Sequence, residues 1–462
     1  MTEVTQEAVP TAKDNEVSKI DQKSNHCAEQ QVVGIREALK EIFAWKNYKI
    51  YVSTAWVFNA FFVMQVYLNL YLRYIGWDYL TIGVVTSISI FAITITRFLS
   101  GYVGDTVDRK MLSVSAMVMM GIYFLLMGIS TEFLIVFTAL LVYSLQDIAR
   151  GGSSAYIMEN IPKKHGGLAV SMFKIGGAFG ILTLIVFGML IPVLGFVDGF
   201  RVISITGGVL LLVCSCIRAK YLDASEKQES SIELSILRDF ISENKRAAIL
   251  AMKVMPGVLI IMALDATSDN LFRFASLIYT NEFLGVSVDS INLMILLPLF
   301  ISIPLLLKIG RFSDTKGIKK AAMRIYAIMP ICALLLVIAP IIPIWLPLEN
   351  IASLHLVFGL EVVFTTPFLA LALKSLNDIL WGVLIFTIIQ KNLPKRDTAK
   401  TLGIVTIIGY LASGLAPSIG GILFTFFNPT MLFFVVIGLN MIILIVIAKI
   451  PLETNTSLIE ST

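Results

Sequence analysis

The sequence predicts an all-α membrane protein of about twelve transmembrane helices, arranged as two pseudo-symmetric six-helix bundles. Three observations predict it. The composition suits lipid better than water. Twelve apolar runs are long enough to cross a bilayer, with basic residues between them on alternate sides. The two halves of the chain also repeat one another.

Of 462 residues, 57% are hydrophobic and 15% charged, against about 25% charged in soluble domains. The mean hydropathy is +0.84. No Lys/Arg block with interleaved aromatics occurs, so the sequence offers nothing for nucleic acid to bind. Four cysteines, Cys27, Cys214, Cys216 and Cys332, show no spacing that suggests a metal site or a disulfide framework.

A membrane helix needs about 20 mostly apolar residues. Such runs fall near 50–74, 80–103, 110–130, 133–158, 168–194 and 200–220, then near 248–281, 288–309, 320–346, 360–390, 400–426 and 429–450. The predicted domains follow: a tail at 1–47, a first bundle at 48–221, a linker at 222–247, a second bundle at 248–450 and a tail at 451–462. Residues 1–45 are polar, so the first span is expected to act as the insertion signal.

Lys and Arg cluster in alternate connections: Arg109 and Lys110, Lys163 and Lys164, the central linker, Lys316, Lys319 and Lys320, then Lys395, Arg396 and Lys400. The intervening connections carry little beyond Arg73 and Arg201. By the positive-inside rule both tails and the linker are expected to be cytoplasmic, in a multi-pass protein of the cell membrane. The linker holds an amphipathic stretch, with Ile232, Leu234, Ile236, Leu237 and Phe240 on one face, that predicts a helix lying on the inner membrane surface.

The repeat is short but ordered. SLQDI at 144–148 matches SLNDI at 375–379, and ENIPKK at 159–164 matches KNLPKR at 391–396. The offsets, 375 − 144 = 231 and 391 − 159 = 232, differ by one residue. A parallel repeat of two six-helix halves describes one large transporter architecture.

Between the second and third spans lies GYVGDTVDRK, where Gly101, Asp105, Arg109 and Lys110 stand in the pattern G-x-x-x-D-R/K-x-G-R/K-R/K; Thr106 and Asp108 depart from it. The second half offers GRFSDTKGIKK, with Gly310, Asp314, Gly317 and Lys319 in place. These loops resemble the signature loop of the major facilitator superfamily, and the resemblance spans roughly 48–450. It implies the fold of that family and a gating role for these eight residues, with Asp105 and Arg109 latching one state. The alternative is a topology signal, in which the bases only hold the loop inside. GLAPSIGG at 414–421 looks like the family's Gly-Pro antiporter motif, but sits in the eleventh span instead of the fifth; tight packing and a kink are the expectation there.

An ionisable residue at the bilayer centre costs roughly 2.5–3.5 kcal/mol and marks function by default. Three spans carry such groups: the fourth has Asp147 and Arg150, the seventh Asp265, Asp269 and Arg273, and the tenth Lys374 and Asp378. The first adds the neutral Asn59, Gln65 and Asn69. The resemblance implies that these four spans line a central cavity. Either the groups form a substrate and proton pathway, or they are i,i+3 and i,i+4 ion pairs that only stabilise packing. Arg150 is expected to neutralise Asp147, and Lys374 to neutralise Asp378. One of Asp265 and Asp269 is then left over as a proton carrier. Arg97 and Lys174, nearer their helix ends, are expected to snorkel to the interface.

No phosphate loop, H-E-x-x-H or G-x-S-x-G motif occurs, which speaks against an ATP-driven pump and against an enzyme. The expectation is a secondary transporter of a small solute, coupled to protons, monomeric in the lipid bilayer and without a cofactor. An uncoupled facilitator and a transporter-like receptor remain the alternatives.

Overall fold

The computed structural model describes residues 35–159, 169, 172–173, 175–224, 234–301, 318–345, 360–392 and 398–449. Spans 1 to 6 are Lys46–Tyr74, Tyr79–Thr106, Arg109–Ile129, Phe133–Glu159, Gly176–Leu194 and Phe196–Tyr221. Spans 7 to 12 are Pro256–Phe283, Val288–Ile301, Ile318–Ile338, Thr366–Asn392, Thr398–Phe426 and Pro429–Lys449. Ten of these are long and apolar enough to cross a membrane by themselves. Span 7 is the second member of a bent pair, and Val288–Ile301 is a shorter apolar helix.

The spans form two six-helix bundles. One end carries the start of span 1, the linker and the end of span 12; it is called the tail face here, and the opposite end the far face. An amphipathic helix, Ile35–Ala44, precedes span 1 at the tail face.

Local sequence explains the boundaries. Asp78 caps span 2 by accepting from the Thr81 backbone N–H at 2.9 Å. Asp108 caps span 3 by accepting from the Lys110 N–H at 2.9 Å. The departure from the family loop at Asp108 is thus the group that starts the next helix. Gly195, at φ +80°, turns span 5 into span 6, a conformation that L side chains rarely adopt.

The seventh span differs from expectation. A continuous run from 248 is interrupted at Met255, and the linker helix Leu234–Val254 meets span 7 at 101°. Pro256 explains the break: it lacks an N–H, suits the first turn of a helix and disfavours helix before it. The linker helix is therefore long and lies across the tail face. Its buried positions, among the described side chains, are Asn244, Ala247, Ala251 and Val254. Phe240 packs on Phe98 and Tyr102 of span 2, at ring distances of 5.4 and 5.9 Å. Ala251 joins a core cluster with Val405 of span 11. The linker helix thus touches both bundles. Of the predicted apolar face, Ile232 and the side chains of Leu234, Ile236 and Leu237 lie outside the described residues.

Spans 2 and 11 form the tightest seam between the bundles. A Cβ on Gly83 would stand 2.5 Å from the Pro417 carbonyl oxygen, and one on Gly421 would stand 2.6 Å from that of Tyr79. The GLAPSIGG stretch breaks span 11 after Ser413 and lets its backbone press on span 2.

Candidate functional site

The charges inside the bundle draw together, though not in the pairs that helical spacing suggests. In the first half, Asp147 accepts from Arg97 Nη2 at 2.7 Å. Arg150, three residues along the same helix, stands at 3.4 Å. The i,i+3 partner is secondary because Arg97, on span 2, reaches Asp147 directly. The expectation that Arg97 snorkels outward is overturned: its guanidinium points inward and lies 4.1 Å from the ring centroid of Tyr410 on span 11. Arg97 therefore touches both halves. Lys174 lies outside the described residues.

In the second half, buried Lys374 donates to Asp269 at 2.6 Å and to Asp378, the expected partner on its own helix. Arg273 Nε meets the other oxygen of Asp269 at 2.7 Å. Spacing along span 7 leaves open which acid is left over, and the packing decides it. Asp269 takes two cations. Asp265 has no cation within 4 Å among the described residues; it accepts from the Tyr326 hydroxyl and the Trp381 indole N–H, both at 2.9 Å. Tyr326 also contacts Asn440 on span 12, which accepts from Ser268 on span 7, again at 2.9 Å in each case.

Span 1 contributes less. Asn59 donates to its own helix at Ala55 O and sits beside Gly176. Gln65 lies in a 3₁₀ turn at Val63–Tyr67 that interrupts the span, and its Nε2 has no described partner.

The loop residues are only partly described. Gly101 sits against Phe240: a Cβ there would stand 3.3 Å from the ring. Arg109 and Lys110 begin span 3, and Lys319 is exposed at the start of span 9. The Asp105 side chain and Gly310, Asp314 and Gly317 lie outside the described residues.

At the far face the halves are clasped by residues to which sequence assigned no role. Arg73 Nε, at the end of span 1, donates to Glu282 of span 7 at 2.7 Å, and the Tyr79 hydroxyl donates to the second oxygen of the same carboxylate. The Arg73 guanidinium lies 4.5 Å from the Tyr79 ring centroid. Tyr74 donates to Asn281 at 3.0 Å. Deeper in, Tyr67 donates to Asn292 of span 8 at 2.7 Å, and Ser87 contacts Ser418 at 2.8 Å. Asn281 and Glu282 lie on a π-helical turn, Tyr279–Phe283, that ends span 7; such turns are rare and cluster at functional sites. One signal was available beforehand: Arg73 and Glu282 carry opposite charges in two connections on one side.

Asn440 also had a signal, as the one polar side chain between Met431 and Ala448 in a span of hydropathy 3.0. Tyr326, Trp381 and Tyr410 had none, since aromatics are common in apolar helices.

A family model described as Major Facilitator Superfamily matches residues 29–378. No curated protein matches the chain. Solved structures share the fold at low identity. A D-xylose-proton symporter is 14% identical, with a TM-score of 0.62 over 88% of this chain and 98% of that one. A POT family transporter in complex with 5-aminolevulinic acid is 13% identical, with a TM-score of 0.62 over 86% and 94%. The nucleoside transporter NupG is 15% identical, with a TM-score of 0.59 over 86% and 98%.

Proposed function

The chain belongs to the major facilitator superfamily, and from that premise we propose that it is a secondary transporter, coupling a small solute to protons through Asp265 by alternating access. Its tails and linker are cytoplasmic, in the cell membrane, so the far face is external. The observation that carries the coupling is the environment of Asp265. Every other intramembrane carboxylate in the cluster lies within 4 Å of a cation. Asp265 has two neutral donors, so its charge can change without breaking an ion pair. Asp269 and Lys374 lie within electrostatic reach and make that change felt by the rest of the cluster. A proton symporter among proteins of like fold supports the reading.

Two sets of contacts supply the gates. The Arg73–Glu282–Tyr79 clasp closes the external side in this conformation. The loop residues Gly101, Asp105, Arg109 and Lys110, with Gly310, Asp314, Gly317 and Lys319, act at the cytoplasmic side. Alternation then moves access between the two faces around a midplane site.

Lumenal pH in proteoliposomes, recorded while a solute panel is added, tests this. Wild type should show solute-dependent proton flux. Asp265→Asn should lose it at least tenfold while still binding solute. Solute entry without proton flux in wild type would instead make the protein an uncoupled facilitator.

A further inference from the structure

The cluster has an asymmetry that bears on what it carries. Arg97, Asp147 and Arg150 give the first half two cations and one anion. The second half has Arg273 and Lys374 against Asp265, Asp269 and Asp378. With every group ionised the sum is zero. With a proton on Asp265 it is one positive charge.

That excess has a location. Lys374 is buried between two carboxylates and Arg97 is committed to Asp147. Arg150 and Arg273 are not used up. The Arg150 side chain is 59% exposed, and its one described carboxylate contact, at 3.4 Å, goes to an acid that Arg97 already holds. The Arg273 side chain is 66% exposed and meets Asp269 through Nε, so neither Nη group has a described partner. A guanidinium facing lipid at mid-depth would be expensive, and contacts tie Arg150 to the place where the halves meet and Arg273 to the buried cluster. Arg150 meets Asp147, which Arg97 holds, and Arg97 lies 4.1 Å from the ring centroid of Tyr410 on span 11; Arg273 meets Asp269, which Lys374 of span 10 holds.

A second observation lies on span 10. Asn377 is 1% exposed, and neither polar atom of its amide has a partner among the described residues. Its helical neighbours on one face are Lys374, Asp378 and Trp381. A buried amide without partners costs about 1–3 kcal/mol, which a polar solute docking on this face would recover.

We infer that the solute is a small organic anion with one carboxylate, held between Arg150 of span 4 and Arg273 of span 7. Guanidinium groups bind carboxylates through paired N–H donors. The charge count selects a monoanion: one proton on Asp265 and one carboxylate on the arginines leave the loaded site neutral, the condition for moving through a low-dielectric core. This rests on the coupling role of Asp265, and the test separates the two.

Proton flux in proteoliposomes is read for four probe sets: monocarboxylates (lactate, benzoate, 5-oxoproline), neutral sugars and nucleosides, choline as a cation, and glycerol 3-phosphate. Flux is expected with a monocarboxylate. Arg150→Gln and Arg273→Gln should each cut it at least tenfold, and Lys at either position should retain part of it, which separates lost charge from lost folding. Flux with neutral solutes, choline or the phosphate ester, with monocarboxylates silent, overturns the carboxylate assignment. So does carboxylate flux undiminished in both Gln variants. If Asp265→Asn abolishes flux of a neutral solute, coupling stands and the anion site falls. If Asp265→Asn leaves carboxylate flux intact, the reverse holds. Silence in all four sets overturns both.

Discussion

Lys374 is the charge on which two acids of the second half depend. It is buried and bonded to Asp269 and Asp378 on two helices. Removing one partner of a buried ion pair costs about 3–5 kcal/mol, because the remaining charges stay buried without compensation. Lys374→Met should therefore lower the thermal midpoint of the detergent-solubilised protein sharply, whereas Arg273→Gln, at an exposed side chain, should lower it little. Equal midpoints for Lys374→Met and wild type would sink the account. At this scale the sequence revealed which groups matter but not how they pair. Asp147, Arg150, Asp265, Asp269, Arg273, Lys374 and Asp378 stand out because charge is rare in apolar runs. Pairing was legible only along one helix: Lys374–Asp378 and Asp269–Arg273 follow the four-residue step. Arg97–Asp147 and Asp269–Lys374 join different helices, 50 and 105 residues apart, and no periodicity reports such contacts.

Helix ends and breaks tell a similar story at the scale of the element. The Thr81 hydroxyl and N–H hold the Asp78 carboxyl below the usual carboxylate range. A folded pKa below the unfolded one gives stability that is present above about pH 4 and lost as pH falls through the folded value. Asp78→Ala should cost about 1 kcal/mol at pH 7, and the difference from wild type should shrink on acidification below pH 4. A difference that grows instead would assign the loss to something other than the cap. The spans themselves were legible, because twenty apolar residues have few other uses. Their interruptions were not: the 3₁₀ turn at Val63–Tyr67 and the π turn at Tyr279–Phe283 have no marker in composition. Pro256 did mark the break before span 7, hidden within a longer apolar run. The seam of spans 2 and 11 yields a sharper test. Gly83→Ala would place a methyl 2.5 Å from a backbone oxygen that cannot rotate away, and overpacking of this kind costs about 1–3 kcal/mol. The seam should part at the far face, so the variant should populate a state open at the far face more than wild type.

On the proposed alternating-access reading the whole molecule has two states, and the far-face clasp is where their balance should be easiest to shift. One carboxylate, Glu282, takes Arg73 and Tyr79 from the first half. Glu282 ends the helix that carries Asp265, 17 residues and about 26 Å below it. A movement that opens the clasp therefore pulls on the helix of the proposed proton carrier, and a charge change at Asp265 acts on the same rigid element. Glu282→Gln keeps the shape but loses the ion pair with Arg73. The pair is only partly exposed, at 32% and 25%, so its loss should cost the closed state about 1–2 kcal/mol, moving the closed-to-open ratio by about 5–30-fold. Spin labels at Thr131 and Phe427, exposed on the far face of opposite halves, would read this as a second, longer distance in Glu282→Gln. Arg73→Lys keeps the charge but not the planar group over Tyr79, so it should give a smaller longer-distance fraction. If neither variant changes the distribution, the clasp is not what holds the far face shut. The spans 2 and 11 seam would then be the remaining lock, and Gly83→Ala should open what Glu282→Gln did not.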